Sequence, residues 1–245
     1  MAEQPPPTQR FHSQFGQDEI LDRALFGQLR NGVFVDIGAH NGVSLSNTFH
    51  LERDLGWHGL CIEANPRVFP ALSRNRSAVC LNLAIADREG SMPFYAVTGY
   101  GEMLSGLSSA IEGHLDFLQR EVAGRGSVDV IEVTARRLDS VLLEHDYSEV
   151  HYLSIDTEGN EAEILGSLDQ TRVMIHVVSA EGHRRREVKR LAEALGPSFA
   201  RVVVHFSDTF FVNRGSPFFS CRWALVAESA RYRARRHLRR LVGRR

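Results

Sequence analysis

The chain has 245 residues, 43% of them hydrophobic, enough to bury the core of one α/β domain, and a formal net charge of only −1. That balance hides an asymmetry, because the last fifteen residues hold eight arginines and no acid, which leaves 21 basic against 30 acidic residues elsewhere. Charge therefore does not mark the body as a nucleic-acid surface, and any affinity for polyanions belongs to the end of the chain.

Residues 1–10, Pro-rich and polar, read as a loose arm with neither the basic nor the apolar region of a signal peptide. "SQFGQDEILDRALFGQL" places Ile20, Leu21, Ala24, Leu25 and Leu29 at helical spacing. "GVFVDIG" is a short apolar strand running into glycine, "SLSNTFHLERDLG" a helix ended by Gly56, and "GLCIEANP" a second buried strand. "RVFPALSRN" reads as a short helix and "AVCLNLAIAD" as a third strand. The alternation predicts right-handed βαβ units on a parallel sheet.

Residues 90 to 135 break the rhythm. "SMPFYAV" and "VDVIEVTA" read as strands around a Gly/Ser-rich stretch and the helix-like "IEGHLDFLQREV". This places a lid or acceptor-binding insertion over residues 97–127, with Ile111, Leu115 and Leu118 facing either an acceptor or the sheet. Strands "VHYLSID" and "VMIHVVSAE" then alternate with helices "EAEILGSL" and "RREVKRLAEAL", and "ARVVVHF" and "DTFFVNR" close the sheet as an antiparallel hairpin. A main domain over residues 11–215 thus precedes an Arg-rich helical tail, 216–245. The tail reads as a helix docked on the acidic body, a contact for an anionic membrane, polyanion or partner, or a disordered end. No apolar run reaches the roughly 18 residues of a membrane span. Three scattered cysteines without metal spacing fit a reduced, cytoplasmic setting.

Three strands end in an acid followed by a turn, at Asp36, Glu63 and Asp156, and Glu181 is a fourth. In an open α/β sheet such ends line one crevice. Gly38 and Gly42 let the backbone turn sharply and approach a ligand. Glu63 lies one βαβ step after Asp36 and can accept both hydroxyls of a ribose, each charged hydrogen bond contributing roughly 1.5–3 kcal/mol. The glycines do not complete G-x-G-x-x-G, and Asp36 would lie beside a pyrophosphate. It suits a ligand with a positive amino group, such as S-adenosylmethionine, better than it suits NAD.

"SQFGQDEIL", "GVFVDIGAHNGVSLSNT", "GWHGLCIEANP", "NLAIADREGSMPFY" and "LSIDTEGNEAEIL", in this order, resemble the FkbM-type methyltransferases over roughly residues 11 to 213. The resemblance implies a Rossmann-like class I fold: a seven-stranded, mostly parallel sheet, its last strand antiparallel, with helices on both faces. It implies S-adenosylmethionine as methyl donor and a hydroxyl of a polyketide, sugar or glycoside as acceptor. Asp36, Gly38, His40, Asn41 and Gly42 would then surround the methionine part of the donor, and Glu63 would take the ribose hydroxyls. Asn82 and Ala84 would lie near the adenine, Gln14, Gln17 and Asp18 in a segment folded over the pocket, and Asp156, Glu158 and Glu161 beside the transferred methyl.

An alcohol also needs its proton removed as it attacks, and Asp156, Glu181 and His183 follow the fourth and fifth strands, where a base is wanted. No metal is required on this reading. The alternative is Mg²⁺ held by Asp156 and Glu181 with Asp208 or His183. Plainer roles stand beside these: Asp156 and Glu161 as helix caps, His183 as a solvated helix start, and His151, His176 and His205 as core or edge residues. Two other functions compete, an NAD-dependent oxidoreductase and a non-catalytic module that binds through its basic tail. The first lacks both the glycine fingerprint and a Tyr/Lys pair.

Overall fold

The computed structural model describes residues 10–99, 106–107 and 119–242. Residues 1–9 of the expected arm and 100–105 and 108–118 of the expected lid, with Ile111, Leu115 and Leu118, lie outside the described residues.

Seven strands build the main sheet: β1 (Val33–Ile37), β2 (His58–Ile62), β3 (Val79–Leu81), β8 (Glu149–Ile155), β9 (Met174–Glu181), β10 (Phe199–His205) and β11 (Asp208–Asn213). Their order is β10-β11-β9-β8-β1-β2-β3. All neighbours run parallel except β11, which is antiparallel to both β9 and β10. This is the Rossmann-like class I arrangement that the sequence implied.

Strand alternation sends side chains to two cores. Val35, Ile37, Leu60, Ile62, Leu153 and Ile155 face α4 (Leu138–Glu144), α5 (Glu161–Ser167) and α6 (Arg185–Leu195). Phe34, Cys61, Tyr152, Val177 and Phe210 face the other layer. That layer holds α1 (Gln17–Leu21), which runs on as a π-helical turn (Asp22–Phe26), then α2 (Phe49–Leu55), α3 (Phe69–Asn75) and α7 (Arg222–Val242). On this second face Asp36 of β1 sits in register with Ser154 of β8. The polar ends of two strands thus meet under the loop before α2.

Two differences from the sequence reading have local causes. The single strand expected over "AVCLNLAIAD" is two, β3 and then β4 (Ala84–Ile85). Between them the Asn82 amide donates to the carbonyls of Glu63 (2.8 Å) and Ala64 (3.3 Å), drawing the chain out of the main sheet. β4 instead pairs with β7 (Gly126–Arg136), which forms a long antiparallel ribbon with β5 (Gly90–Gly99), and β6 (Gly106–Leu107) adds to β5. The second difference is the start of α2, which begins only at Phe49 because Ser46 and Thr48 before it are committed to side-chain hydrogen bonds.

The segment set apart at residue 216 shares the core of the domain. A 3₁₀ turn (Pro217–Cys221) sets Phe218 edge-on to Phe26, with ring centroids 5.2 Å apart, and α7 buries Leu225 completely. Tyr232 packs so closely on Gly16 that a Cβ there would lie 2.1 Å from its ring. Ser229 is bonded to His205, whose other nitrogen reaches the Phe15 carbonyl, both at 2.8 Å. The helix therefore clamps the N-terminal segment onto β10.

Candidate functional site

The strand ends converge on a cleft at the carboxyl edge of the main sheet. Its floor is the turn after β1. Asp156 N–H donates to the Ile37 carbonyl, and the N–H groups of Gly38 and Ala39 both donate to the Ile62 carbonyl, each at 3.0 Å. Three strands are thereby stitched at one point. Gly38, at φ +82°, lies so near β8 that a Cβ would sit 1.7 Å from the Asp156 carbonyl oxygen, so the position admits glycine alone.

Glu63 closes one end of this floor. Its Oε2 accepts from His40 N–H (2.9 Å) and its Oε1 from Asn65 N–H (2.7 Å). The two bonds fix the carboxylate where the β2 strand end meets the turn after β1. His40 takes a left-handed conformation, φ +49°, to make its bond, a strain this hydrogen bond helps to hold. Beside Glu63 the cleft has an apolar lining of Ile62, Ala64, Val68, Leu83, Ala84, Ile85 and Phe94. Phe94 reaches in from the β5–β7 ribbon, and sequence reasoning had no means of aiming it there. The detour at Asn82 brings Leu83 to Ile85 to the wall.

The other end is acidic. Asp156 and Glu158 line the cleft, and the carboxylate oxygens of Asp156, Glu158 and Glu181 lie within 4.8 Å of one another. Burial pushes Glu158 up to about 8, helped by Asp156 and Glu161. Glu181 is pushed to about 8 by burial and by Glu158, Glu161 and Asp208. Asp156 is raised well above the usual carboxylate range by the same pair of causes, burial and then Glu181, Asp208, Glu161 and Asp36. Asp156 remains open to the cleft. Crowding by other acids is thus the firmer of its two causes, since it acts whether or not water fills the space. The acids cannot all ionise together near neutral pH.

Glu161 has the task its place in the first turn of α5 suggested. Its Oε1 accepts from Thr157 N–H, the Thr157 hydroxyl and Gly159 N–H at 2.9 to 3.0 Å, holding the turn that presents Glu158 at φ +58°.

Several expected residues are not brought to the cleft. Asp36 is buried beneath it, accepting from the Thr48 hydroxyl (2.6 Å) and facing the Arg76 guanidinium at 3.7 Å. Arg76 also bonds Glu52 (2.5 Å) and the Gly42 carbonyl (3.1 Å). The charge argument that reserved Asp36 for a ligand's amino group is answered from within the protein. Asn41 shapes its own turn through Val43 and Ser44, and Gly42 makes room for Arg76, whose Cγ would lie 2.6 Å from a Cβ there. Asp18 is buried, spent on the N–H groups of His12, Ser13 and Glu19 and the Ser13 hydroxyl, while Gln14 points to solvent. Gln17 donates to Asp208 at 2.9 Å, and Ser207 donates to its other oxygen. Asp208 is thus engaged, and Glu158 stands in the three-acid group where the sequence reading had put Asp208. His183 is exposed at the start of α6, its N–H bonded to Glu187, and does not line the cleft.

A family model described as the methyltransferase FkbM domain matches residues 36–209, well over half of the chain. Among solved structures the chain is similar to an FkbM methyltransferase from Methylobacillus flagellatus KT, at 12% identity and a TM-score of 0.49, covering 79% of this chain and 47% of that one. It thus spans about half the length of that protein. It is also similar to the N-terminal domain of human METTL16 in complex with SAH (11%, TM-score 0.43, covering 79% of this chain and 66% of that one). A third is a TehB-like SAM-dependent methyltransferase from Corynebacterium glutamicum (9%, TM-score 0.41, covering 82% and 89%). No curated protein matches the chain.

Proposed function

The chain belongs to the FkbM methyltransferase family, and from that premise we propose that it moves a methyl group from S-adenosylmethionine to a hydroxyl of a small molecule, a polyketide, a sugar or another secondary metabolite. The observation that carries the reading is the slot itself. Glu63, its carboxylate fixed by two backbone N–H groups, lines a cleft together with the apolar Ile62, Val68, Leu83, Ile85 and Phe94. A nucleoside fits that donor set, with its ribose hydroxyls on Glu63 and its base between Val68 and Phe94. When bound, the sulfonium supplies a methyl that a nucleophilic oxygen can take in a single displacement.

The protein's share is placement and proton handling. Fixing the reactants against the Gly38 turn is the kind of alignment that can supply about 7–11 kcal/mol. The acidic end accepts the hydroxyl proton. Asp156 is the base, because it alone of the three acids combines access from the cleft with a position on the strand end beside Gly38. Burial, and then the neighbouring Glu181, raise its affinity for a proton above that of an ordinary carboxylate. The second reading gives Asp156, Glu158 and Glu181 to a divalent cation, favoured by their mutual proximity. Full turnover in EDTA removes it. The acceptor is chosen by residues 97–127, and the free cysteines suit reaction in a reducing cytoplasm.

Calorimetry tests the donor. S-adenosylhomocysteine binds at micromolar level and NAD does not. NAD binding without S-adenosylhomocysteine binding overturns the proposal. An Asp156→Asn protein binds S-adenosylhomocysteine normally yet forms methylated product about a hundred- to ten-thousandfold more slowly.

A further inference from the structure

The outward face of α7 is apolar where a solvated helix would be polar. Leu225 and Ser229 point inward, buried, and Tyr232 packs on Gly16. On the opposite side Trp223 is 65% exposed and Leu238 59% exposed, roughly four turns along the helix and about 60° apart around it. Ala227, Ala230 and Ala234, all exposed, fill the line between them. Only five large hydrophobic residues are exposed among those described, and two of them are these.

Arginines stand round the rest of the helix. Arg231 and Arg235 are ion-paired, with Glu228 at 2.5 Å and Glu19 at 2.8 Å. Arg222 and Arg233 donate to the Phe219 and Val204 carbonyls, and Arg236 lies over the rings of Phe15 and Phe206, so none of the three has an acidic partner among the described residues. Arg239 is exposed and has no acidic partner among the described residues. Glu228 is the helix's one acid.

From this arrangement we propose that α7 is an interfacial helix that lays the Trp223–Leu238 stripe on a membrane rich in anionic phospholipid, its arginines on the headgroups. A tryptophan and a leucine on one line of a helix with many arginines and a single acid match the boundary between acyl chains and phosphates. A second copy meeting this helix face to face would set its own arginines against these, since Glu228 is the helix's one acid. An RNA would use the charge and leave the apolar line wet. Among the described residues no helix is long and apolar enough to cross a membrane, so the contact is to the surface.

The two tryptophans make the test direct, because Trp57 is 3% exposed and Trp223 carries the solvent-sensitive emission. The full chain co-sediments with vesicles of phosphatidylcholine mixed with phosphatidylserine but not with phosphatidylcholine alone, and its emission shifts to the blue as it binds. A Trp223→Ser/Leu238→Ser protein loses sedimentation while still binding S-adenosylhomocysteine, which shows that it is folded. Arg233→Ser/Arg239→Ser weakens binding about twenty-five-fold, about fivefold per charge. Absence of sedimentation with either vesicle overturns the proposal. So does a blue shift that follows protein concentration without lipid, which means a second copy covers the stripe. So does binding of an RNA oligonucleotide with no response to vesicles.

Discussion

The two ends of the cleft are built on opposite terms. At the β1–β2 end the polar groups of the floor have partners inside the protein: Glu63 is held by His40 and Asn65, and Asp36 by Thr48 and Arg76. At the β8–β9 end Asp156, Glu158 and Glu181 crowd one another and are pushed to hold protons. A fold can pre-organise a binding surface and, a few residues away, store electrostatic repulsion that only a proton or a ligand relieves. The first end recognises a ligand, and the second changes its own protonation state.

Three changes sharpen that contrast. The largest effect falls at the seam between the two ends. Gly38→Ala drives a Cβ into the Asp156 carbonyl oxygen and costs at least about 3 kcal/mol, lowering Tm by roughly 6–12 °C in thermal unfolding. A Tm within error of the parent would mean that the strands do not meet there. Next, Glu63→Gln weakens S-adenosylhomocysteine binding by about ten- to hundredfold in calorimetry, with a Tm change of only a few degrees. Equal affinity would break the assignment of this end to recognition. The smallest effect belongs to the acidic end. A carboxyl with a folded value of about 8 against an ordinary 4.5 keeps its proton where the unfolded chain has released it, so stability falls as pH rises through that window. Glu158→Gln/Glu181→Gln flattens the fall and raises Tm at pH 9 by about 2–4 °C, with little change at pH 5. A parent whose Tm does not decline between those values would deny the stored repulsion.

The sequence made the sheet legible because short, near-continuous apolar runs ending in an acid and a turn read as buried parallel strands. Asp36, Glu63, Asp156 and Glu181 could be placed on one edge for the same reason. What lay hidden were partners supplied from far along the chain. Nothing near Asp36 announces Arg76, whose stem needs the space left by Gly42, and without Arg76 the acid looks vacant. Nothing in "SMPFYAV" says that Phe94 turns inward to the slot. The run "AVCLNLAIAD" keeps its apolar pattern through a break made by one Asn82 amide. Asp18 and Gln17 sit in the expected segment, but their bonds go to their own turn and to Asp208. Local pattern reveals which face a residue takes. It does not reveal who else has claimed its hydrogen bonds.

The clamp of α7 over Phe15 and His205 has a consequence for anyone cutting the gene. Likeness to the family stops at residue 209, and a shortened protein ended after Asn213 would look complete by that measure. It would nonetheless leave the Leu225 socket empty, uncover Gly16 and deprive His205 of its Ser229 hydroxyl. The imidazole, held near 4 mainly by burial, would regain water and its ordinary readiness to take a proton. The boundary for folding lies a helix beyond the boundary of resemblance.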